Sequence, residues 1–336
     1  MDNLKKLGVT ALAGTLATFS ANAADVSFGG TSKISFGSTS SDRTGAEAAS
    51  REGMNADTTI SASYGGELDN GWTVSGFMDD ISLGQTSSNI SIGMGSMGTV
   101  NINTAATGSV DGYDDILPVA YEEVNDGAKH GAKGMDVGSS VEAGSISYIS
   151  PSFDVAGASL SVRADFDPAA GAGAADGTGV AGGALQGSGV AYGGEISMAG
   201  LKIVAGLEEV ESTETGVNAS DKESVTVQAV YSAGPISVGY GEWFVNGANG
   251  GTDYSTEGLT VAFAVNDDLS VSWGELEDTQ EADSASSAVT TEMTAYQLAY
   301  TMGSMGIKFK HTDTDNGYFS SNKSAENTEI AVSFSF

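Results

Sequence analysis

The sequence predicts an all-β chain, a 16-stranded antiparallel transmembrane β-barrel. Three observations predict it. Apolar and polar residues alternate with period two along nearly the whole chain. The connections between alternating segments are short and long in turn. A leader-like segment directs the chain out of the cytoplasm, yet no later apolar run approaches the roughly 20 residues that a spanning helix needs.

Residues 1–23 read as a cleaved secretory signal peptide. Lys5 and Lys6 make a basic start, Leu7 to Phe19 form a stretch of small and apolar residues, and Ala21-Asn22-Ala23 is an A-x-A cleavage site. The mature chain, 24–336, is expected to be one barrel domain. Its first strand, 25–37, sets the pattern. Val26, Phe28, Ile34 and Phe36 share one parity, while Ser27, Thr31, Lys33 and Ser35 share the other. Successive side chains of an extended chain point to opposite faces, so one face is oily and the other wet. Strands follow at 56–66, 71–80, 88–94, 98–104, 139–149, 157–167, 189–198 and 201–209. The remaining ones are expected at 223–232, 236–245, 256–265, 269–276, 292–301, 306–313 and 326–336. Helical i, i+3, i+4 spacing competes in none of these windows.

Short turns such as Leu68-Asp69-Asn70-Gly71, Ala233-Gly234-Pro235 and Asn266-Asp267-Asp268 lie at one strand end. Met94-Gly95-Ser96-Met97-Gly98 and Met302-Gly303-Ser304-Met305-Gly306 are a weak internal repeat of such a turn. Long polar loops near 38–55, 167–187, 209–222, 246–255, 277–290 and 313–325 lie at the other end. The barrel must close, because hydrocarbon tolerates no unpaired backbone edge. Small and polar residues on the second face suit a water-filled lumen rather than a packed core. Tyr64, Trp72, Tyr231, Tyr240, Trp273 and Tyr300 sit near strand ends, where interfacial girdles lie. A soluble two-sheet sandwich would need neither loop alternation nor an aromatic-rich terminus.

The 44 acids outweigh the 13 bases, for a net charge of −31, which argues against nucleic acid as a partner. There is no cysteine, so disulfides and thiolate metal sites are excluded. With His130 and His311 as the only histidines, neither a histidine metal cage nor a catalytic dyad is expected. No cofactor is called for, and the chain is not expected to be an enzyme. The glycine-rich stretch 171–183 lacks a strand-to-helix context and a Walker lysine. Acidic runs at Glu208-Glu209-Val210-Glu211…Glu214 and at Glu275, Glu277, Asp278, Glu281 and Asp283 are solvated loop surface. Such carboxylates suit Ca²⁺, but no complete calcium-loop pattern is present and no specific metal site is assigned.

At this point the residues resemble the sixteen-stranded general diffusion porins of Gram-negative outer membranes, the alphaproteobacterial type in particular, over essentially the whole mature chain. Val332-Ser333-Phe334-Ser335-Phe336 is similar to the terminal aromatic strand that serves the family as an assembly signal, ending here on Phe336. Ser145-Ile146-Ser147-Tyr148-Ile149-Ser150-Pro151-Ser152-Phe153 looks like the family's strand-six-to-turn motif. The long connection 105–138 stands where the family has its third loop, which folds inward and narrows the channel. The resemblance implies a homotrimer of separate pores in the outer membrane, in contact with its lipid and lipopolysaccharide.

The third-loop segment 111–126 carries acids among apolar and aromatic residues, which is unusual for a solvated tip. Ile116, Leu117 and Val119 are expected to pack on the inner wall, with Asp111, Asp114, Asp115, Glu122 and Glu123 facing the pore as an acidic constriction. Lys33, Arg163, Lys202, Lys308 and Lys310 all fall on the wet parity of their strands. On that parity a base also avoids lipid, where a charge at the midplane costs roughly 2–4 kcal/mol. Strands 25–37 and 306–313 are separated only by 326–336 once the barrel closes, so Lys33, Lys308 and Lys310 form one wall patch. A basic wall facing an acidic loop would set a transverse field across the lumen. Glu242, Glu275 and His311 fall on the oily parity, toward the loop ends of their strands.

The expected function is passive diffusion of small hydrophilic solutes and ions, with excess acid favouring cations. The alternatives are a solute-specific porin with an aromatic track or saturable site, a barrel enzyme without visible Ser/His logic, and a secreted acidic adhesin or surface-layer protein.

Overall fold

The structure is a computed structural model. It describes residues 25–42, 51–79, 87–103, 108–126, 134–142, 144–168, 170, 186–212, 220–247, 251–281 and 287–336. The expected leader, 1–23, lies outside the described residues, as do His130 and the stretch 171–183.

The first half of the wall comprises β1 (Asp25–Ser41), β2 (Arg51–Glu67), β3 (Thr73–Met78), β4 (Ser88–Gly93), β5 (Thr99–Asn103), β6 (Ile146–Ile149), β7 (Phe153–Val155) and β8 (Ala158–Asp167). The second half comprises β9 (Gln186–Met198), β10 (Leu201–Ser212), β11 (Lys222–Ala233), β12 (Ile236–Asn246), β13 (Tyr254–Ala264), β14 (Leu269–Gln280), β15 (Val289–Met302), β16 (Met305–Asp315) and β17 (Ala325–Ser335). Each strand pairs antiparallel with its chain neighbours, and β1 pairs with both β2 and β17, which closes the ring. Both β6 and β7 pair with β8, one after the other, so the seventeen segments make a sixteen-stranded barrel.

The break between β6 and β7 follows from Pro151, which has no N–H to give the ladder. Ser150 compensates. Its backbone N donates to Val162 O at 2.9 Å, and its Oγ accepts from Val162 N at 2.9 Å. Short turns fall where expected. Gly200 adopts φ +86, and a Cβ there would lie 2.4 Å from Ser232 O, so only glycine fits this turn.

Three strand expectations need correction. The strand predicted over 139–149 is confined to 146–149, because Gly138 and Gly144 adopt left-handed φ of 88° and 82° and Val141 is buried in a loop cluster. The strands predicted at 71–80 and 98–104 shorten to 73–78 and 99–103. Several others run further than the alternation shows, as in β2 from 51, β10 to 212 and β14 to 280. Polar residues dominate these ends, with Met54 and Val210 as isolated apolar members, so the pattern fades while the backbone ladder continues.

The oily parity faces outward, with Phe28 72%, Val227 53% and Ile330 48% exposed. The inner face is not uniform. Inner residues of β10–β16, such as Val204, Gln228, Trp243, Leu276, Met293 and Lys310, are buried. On β2 the inner residues Asn55, Asp57 and Ser63 stay exposed. The core therefore sits against one side of the ring.

Candidate functional site

Residues 109–126 cover that buried side. Their first anchor is on β8, where Asp165 accepts from Ser109 Oγ and from Val110 N, the latter at 2.8 Å. Arg163 Nη1 donates to Ser109 O at 2.8 Å, and its guanidinium lies 4.8 Å from the centre of the Tyr113 ring. Tyr113 is buried with Val110, Val137, Val141, Val204 and Val210, and its carbonyl accepts from Gln228 of β11. Farther along, Ala120 N donates to Ser272 Oγ at 2.9 Å. Gln297 Oε1 accepts from Tyr121 N at 2.8 Å and from Glu122 N at 3.1 Å.

A run of inner-face glycines makes room for this segment. A Cβ on Gly193 would stand 2.5 Å from the Tyr113 ring, and one on Gly239 2.4 Å from Pro118 Cδ. One on Gly258 would stand 2.9 Å from Leu117, and one on Gly274 2.5 Å from Val124. Register places Gly193 opposite Gly206 and Gly241 opposite Gly258, so the gaps adjoin across strands. Gly239→Val is expected to weaken seating of Leu117 and Pro118 by about 1–3 kcal/mol through overpacking. Hydrogen exchange at 114–119 should accelerate. Gly194→Val, at an outward glycine with open space around its Cβ, should leave that exchange unchanged.

The five wall bases divide into two groups. Lys33 Nζ lies 3.1 Å from Glu122 and 3.4 Å from Glu329. Lys33 and Lys308 stand 5.0 and 4.8 Å from the centre of the Tyr121 ring, whose hydroxyl donates to Glu329 at 3.0 Å. Lys310 is 2% exposed and donates to the carbonyls of Glu123 and Asp126. These three meet as one patch directly beneath the segment. In the second group Glu195 lies 3.7 Å from Arg163 and 3.2 Å from Lys202. Among the described residues Lys202 makes no hydrogen bond or ion pair with the segment.

The acids divide as well. Glu122 is paired with Lys33, whereas Asp111, Asp114, Asp115 and Glu123 enter none of the ion pairs among the described residues. Asp115 and Glu123 hydrogen-bond through their carboxyl groups. Burial, reinforced by Asp114 and Glu142, pushes Asp111 up to about 8. Burial and then Asp115 push Asp114 up to about 7. Burial and then the bond with Asp115 raise Glu123 to about 9. Burial also raises Asp126 and Glu142. Among the described residues no group of three or more His, Asp or Glu is arranged to hold a metal ion.

Sequence reasoning did not find Tyr113, Tyr121, Gln228 or Gln297 as anchors. It also missed a second clasp, in which Lys222 Nζ reaches Asp136 at 2.7 Å, Ser140 Oγ at 2.8 Å and Glu208 at 3.1 Å. The available signal was a large polar side chain or a glycine on the wet parity of a strand. Of the apolar trio, Leu117 packs on the wall at Gly258, Ile116 joins the Tyr113 cluster, and Val119 lines a cavity described below. Phe336, at the chain end, exchanges backbone hydrogen bonds of 3.0 Å with Gly30 of β1.

No family model and no curated protein sequence matches the chain. Solved structures do. OmpF of Salmonella typhi, in complex with daunomycin, superposes with a TM-score of 0.68 at 12% identity, covering 94% of this chain and 100% of that one. An anion-selective porin from Comamonas acidovorans gives 0.67 at 12% identity, with coverage of 94% and 100%. OmpT of Vibrio cholerae, in trimer form, gives 0.64 at 13% identity, with coverage of 94% and 100%. The chain therefore has the fold of the outer-membrane porins.

Proposed function

We propose that the chain is an outer-membrane channel for passive diffusion of small hydrophilic solutes and ions, and not an enzyme. In this reading segment 109–126 is the inward-folded third loop, and the open lumen lies between it and the polar inner face of β1–β4. Asp115 supplies its charge, joined by Asp114, Asp111 and Glu123 as the pH rises through about 7, 8 and 9. One observation carries a cation preference. Lys33, Arg163, Lys202 and Lys310 are engaged by acids or carbonyls, and Lys308 by an aromatic ring, while these four acids lack a basic partner among the described residues. Apart from Asp57, the inner face of β2–β4 answers with hydroxyls and amides such as Ser61, Ser75, Asn89 and Ser91, so the field is one-sided rather than transverse. Local cation concentration rises accordingly. The anion selectivity of the Comamonas porin belongs to that protein's own charges.

The segment 145–153 supports the alphaproteobacterial type, and 332–336 supports an outer-membrane barrel with Phe336 as the assembly signal. The trimer form of OmpT supports a homotrimer here, bedded in outer-membrane lipid and lipopolysaccharide. Planar-bilayer reconstitution of the purified mature chain tests the reading. Zero-current potentials across a KCl gradient should show cation preference, with three conductance steps per insertion. A clear anion preference would refute the charge assignment.

A further inference from the structure

Between segment 114–126 and the inner wall lies a cavity of about 340 Å³, within the range of small-molecule sites. Its polar boundary is Asp114, Asp115, Glu123, Asp126, Asn125 and Thr260. Leu117, Val119, Val124, Met135 and Leu276 make its apolar boundary. Thr260, on the inner face of β13, is 1% exposed, and its Oγ1 has no hydrogen-bond partner among the described residues. Asn125 Oδ1 is shielded from solvent and likewise accepts nothing. Buried polar groups are ordinarily satisfied, so two such atoms on one cavity mark a place for a ligand.

The chemistry of that ligand follows from the lining. Carboxyl oxygens, an amide carbonyl and a hydroxyl all accept hydrogen bonds. The neighbouring bases are occupied elsewhere, Lys33 by Glu122 and Lys310 by backbone carbonyls. The ligand must therefore bring positive charge and N–H donors. It must also bring an apolar body to cover Leu117, Val124 and Leu276. A bare metal ion would leave that apolar surface uncovered, and an anion would meet only like charge.

We propose that this cavity binds a primary ammonium group carried on a short apolar chain. Thr260 and Asn125 take its N–H donors, and Asp115 balances its charge. The proposal deepens the channel reading, which it needs only for the ligand's route through the lumen.

The probe is n-pentylammonium, titrated calorimetrically into the full mature chain in detergent micelles. Tetramethylammonium, with the same charge and no N–H, is the comparison. Saturable binding of n-pentylammonium is expected, at least about tenfold tighter than tetramethylammonium, the scale of one hydrogen bond to a charged group. Thr260→Val should weaken it about tenfold while Thr260→Ser retains it. Asp115→Asn should weaken it similarly and decides the matter if the Thr260→Val chain fails to fold. Equal affinity for the two cations, or unchanged n-pentylammonium affinity in the variants, overturns the site. Amine-free conductance in bilayers is measured in parallel. Conductance without donor-dependent binding sinks the site and spares the channel, while binding without conductance does the reverse.

Discussion

Replacing Lys310 by methionine is expected to release segment 121–126 from the wall and to raise single-channel conductance. Lys310 is 2% exposed, and its ammonium donates to the carbonyls of Glu123 and Asp126. No other described side chain donates to those two carbonyls. Methionine keeps the apolar stem and about the same volume, so the β15–β16–β17 ladder on either side is undisturbed. What disappears is a buried charge and both of its hydrogen bonds, leaving Asp126 O without its donor and Glu123 O with only Asp126 N at 3.2 Å. Stranding a buried acceptor in this way costs about 1–3 kcal/mol. Because the seating of the segment is a local equilibrium, the cost falls on that contact rather than on the barrel as a whole. Hydrogen exchange at 121–126 should approach that of exposed loop, and conductance should rise with noisier current. Lys323→Met, at a half-buried lysine whose side chain bonds Asp42 O far from this segment, is the comparison and should change neither. Slow exchange at 121–126 in the Lys310→Met chain would mean that the lysine does not hold the segment.

The outer wall was legible because period two records a real asymmetry. Phe28 and Phe36 face outward and Lys33 does not, and that parity carried every strand of the barrel. The strand ends were illegible for the same reason. At 277–280 both faces are polar, and at 51–55 Met54 alone is apolar, so a ladder that persists leaves little trace in the pattern. Residues 139–145 misled in the opposite sense. Val141 alternates with small residues as a strand residue would, but it is buried beside Val110 and Val137 in the covering segment. Lys310 was placed on the inner face by parity alone, yet its partners lie 184 and 187 residues away in sequence, beyond any periodicity. The inner-face glycines of β9, β10, β12, β13 and β14 carry no signal of their own in the sequence. Only register shows that Gly193 faces Gly206 and Gly258 faces Gly241, which turns scattered gaps into a bed.

Cation preference is expected to rise severalfold as pH goes from 6 to 9. Asp111, Asp114 and Glu123 are pushed up to about 8, 7 and 9, in each case chiefly by burial and then by neighbouring carboxyl groups. Below pH 6 these groups are neutral, and each adds a negative charge as the pH passes its value. The groups facing them are Asp115, Tyr121, Glu122 and Asp126 on the same segment, with Asp136 and Glu142 on the stretch that follows it. From the wall come Lys33, Arg163, Lys308, Lys310 and Glu329. The rise in negative charge over this window comes from Asp111, Asp114 and Glu123. Stability moves with the same titration. A carboxyl whose value is raised on folding binds its proton in the folded state while the unfolded chain, near 4, has already lost it. The folded state is thus favoured most in mild acid and progressively less up to about pH 9, and the segment sits more loosely as its charge grows. Both consequences increase cation current. Zero-current potentials in a KCl gradient at pH 5, 6, 7, 8 and 9 measure the effect, and the Asp111→Asn, Glu123→Gln double variant should flatten the curve above pH 7. A preference that stays level from pH 6 to 9 in the unaltered chain would show that these three carboxyls do not border the path of the ion.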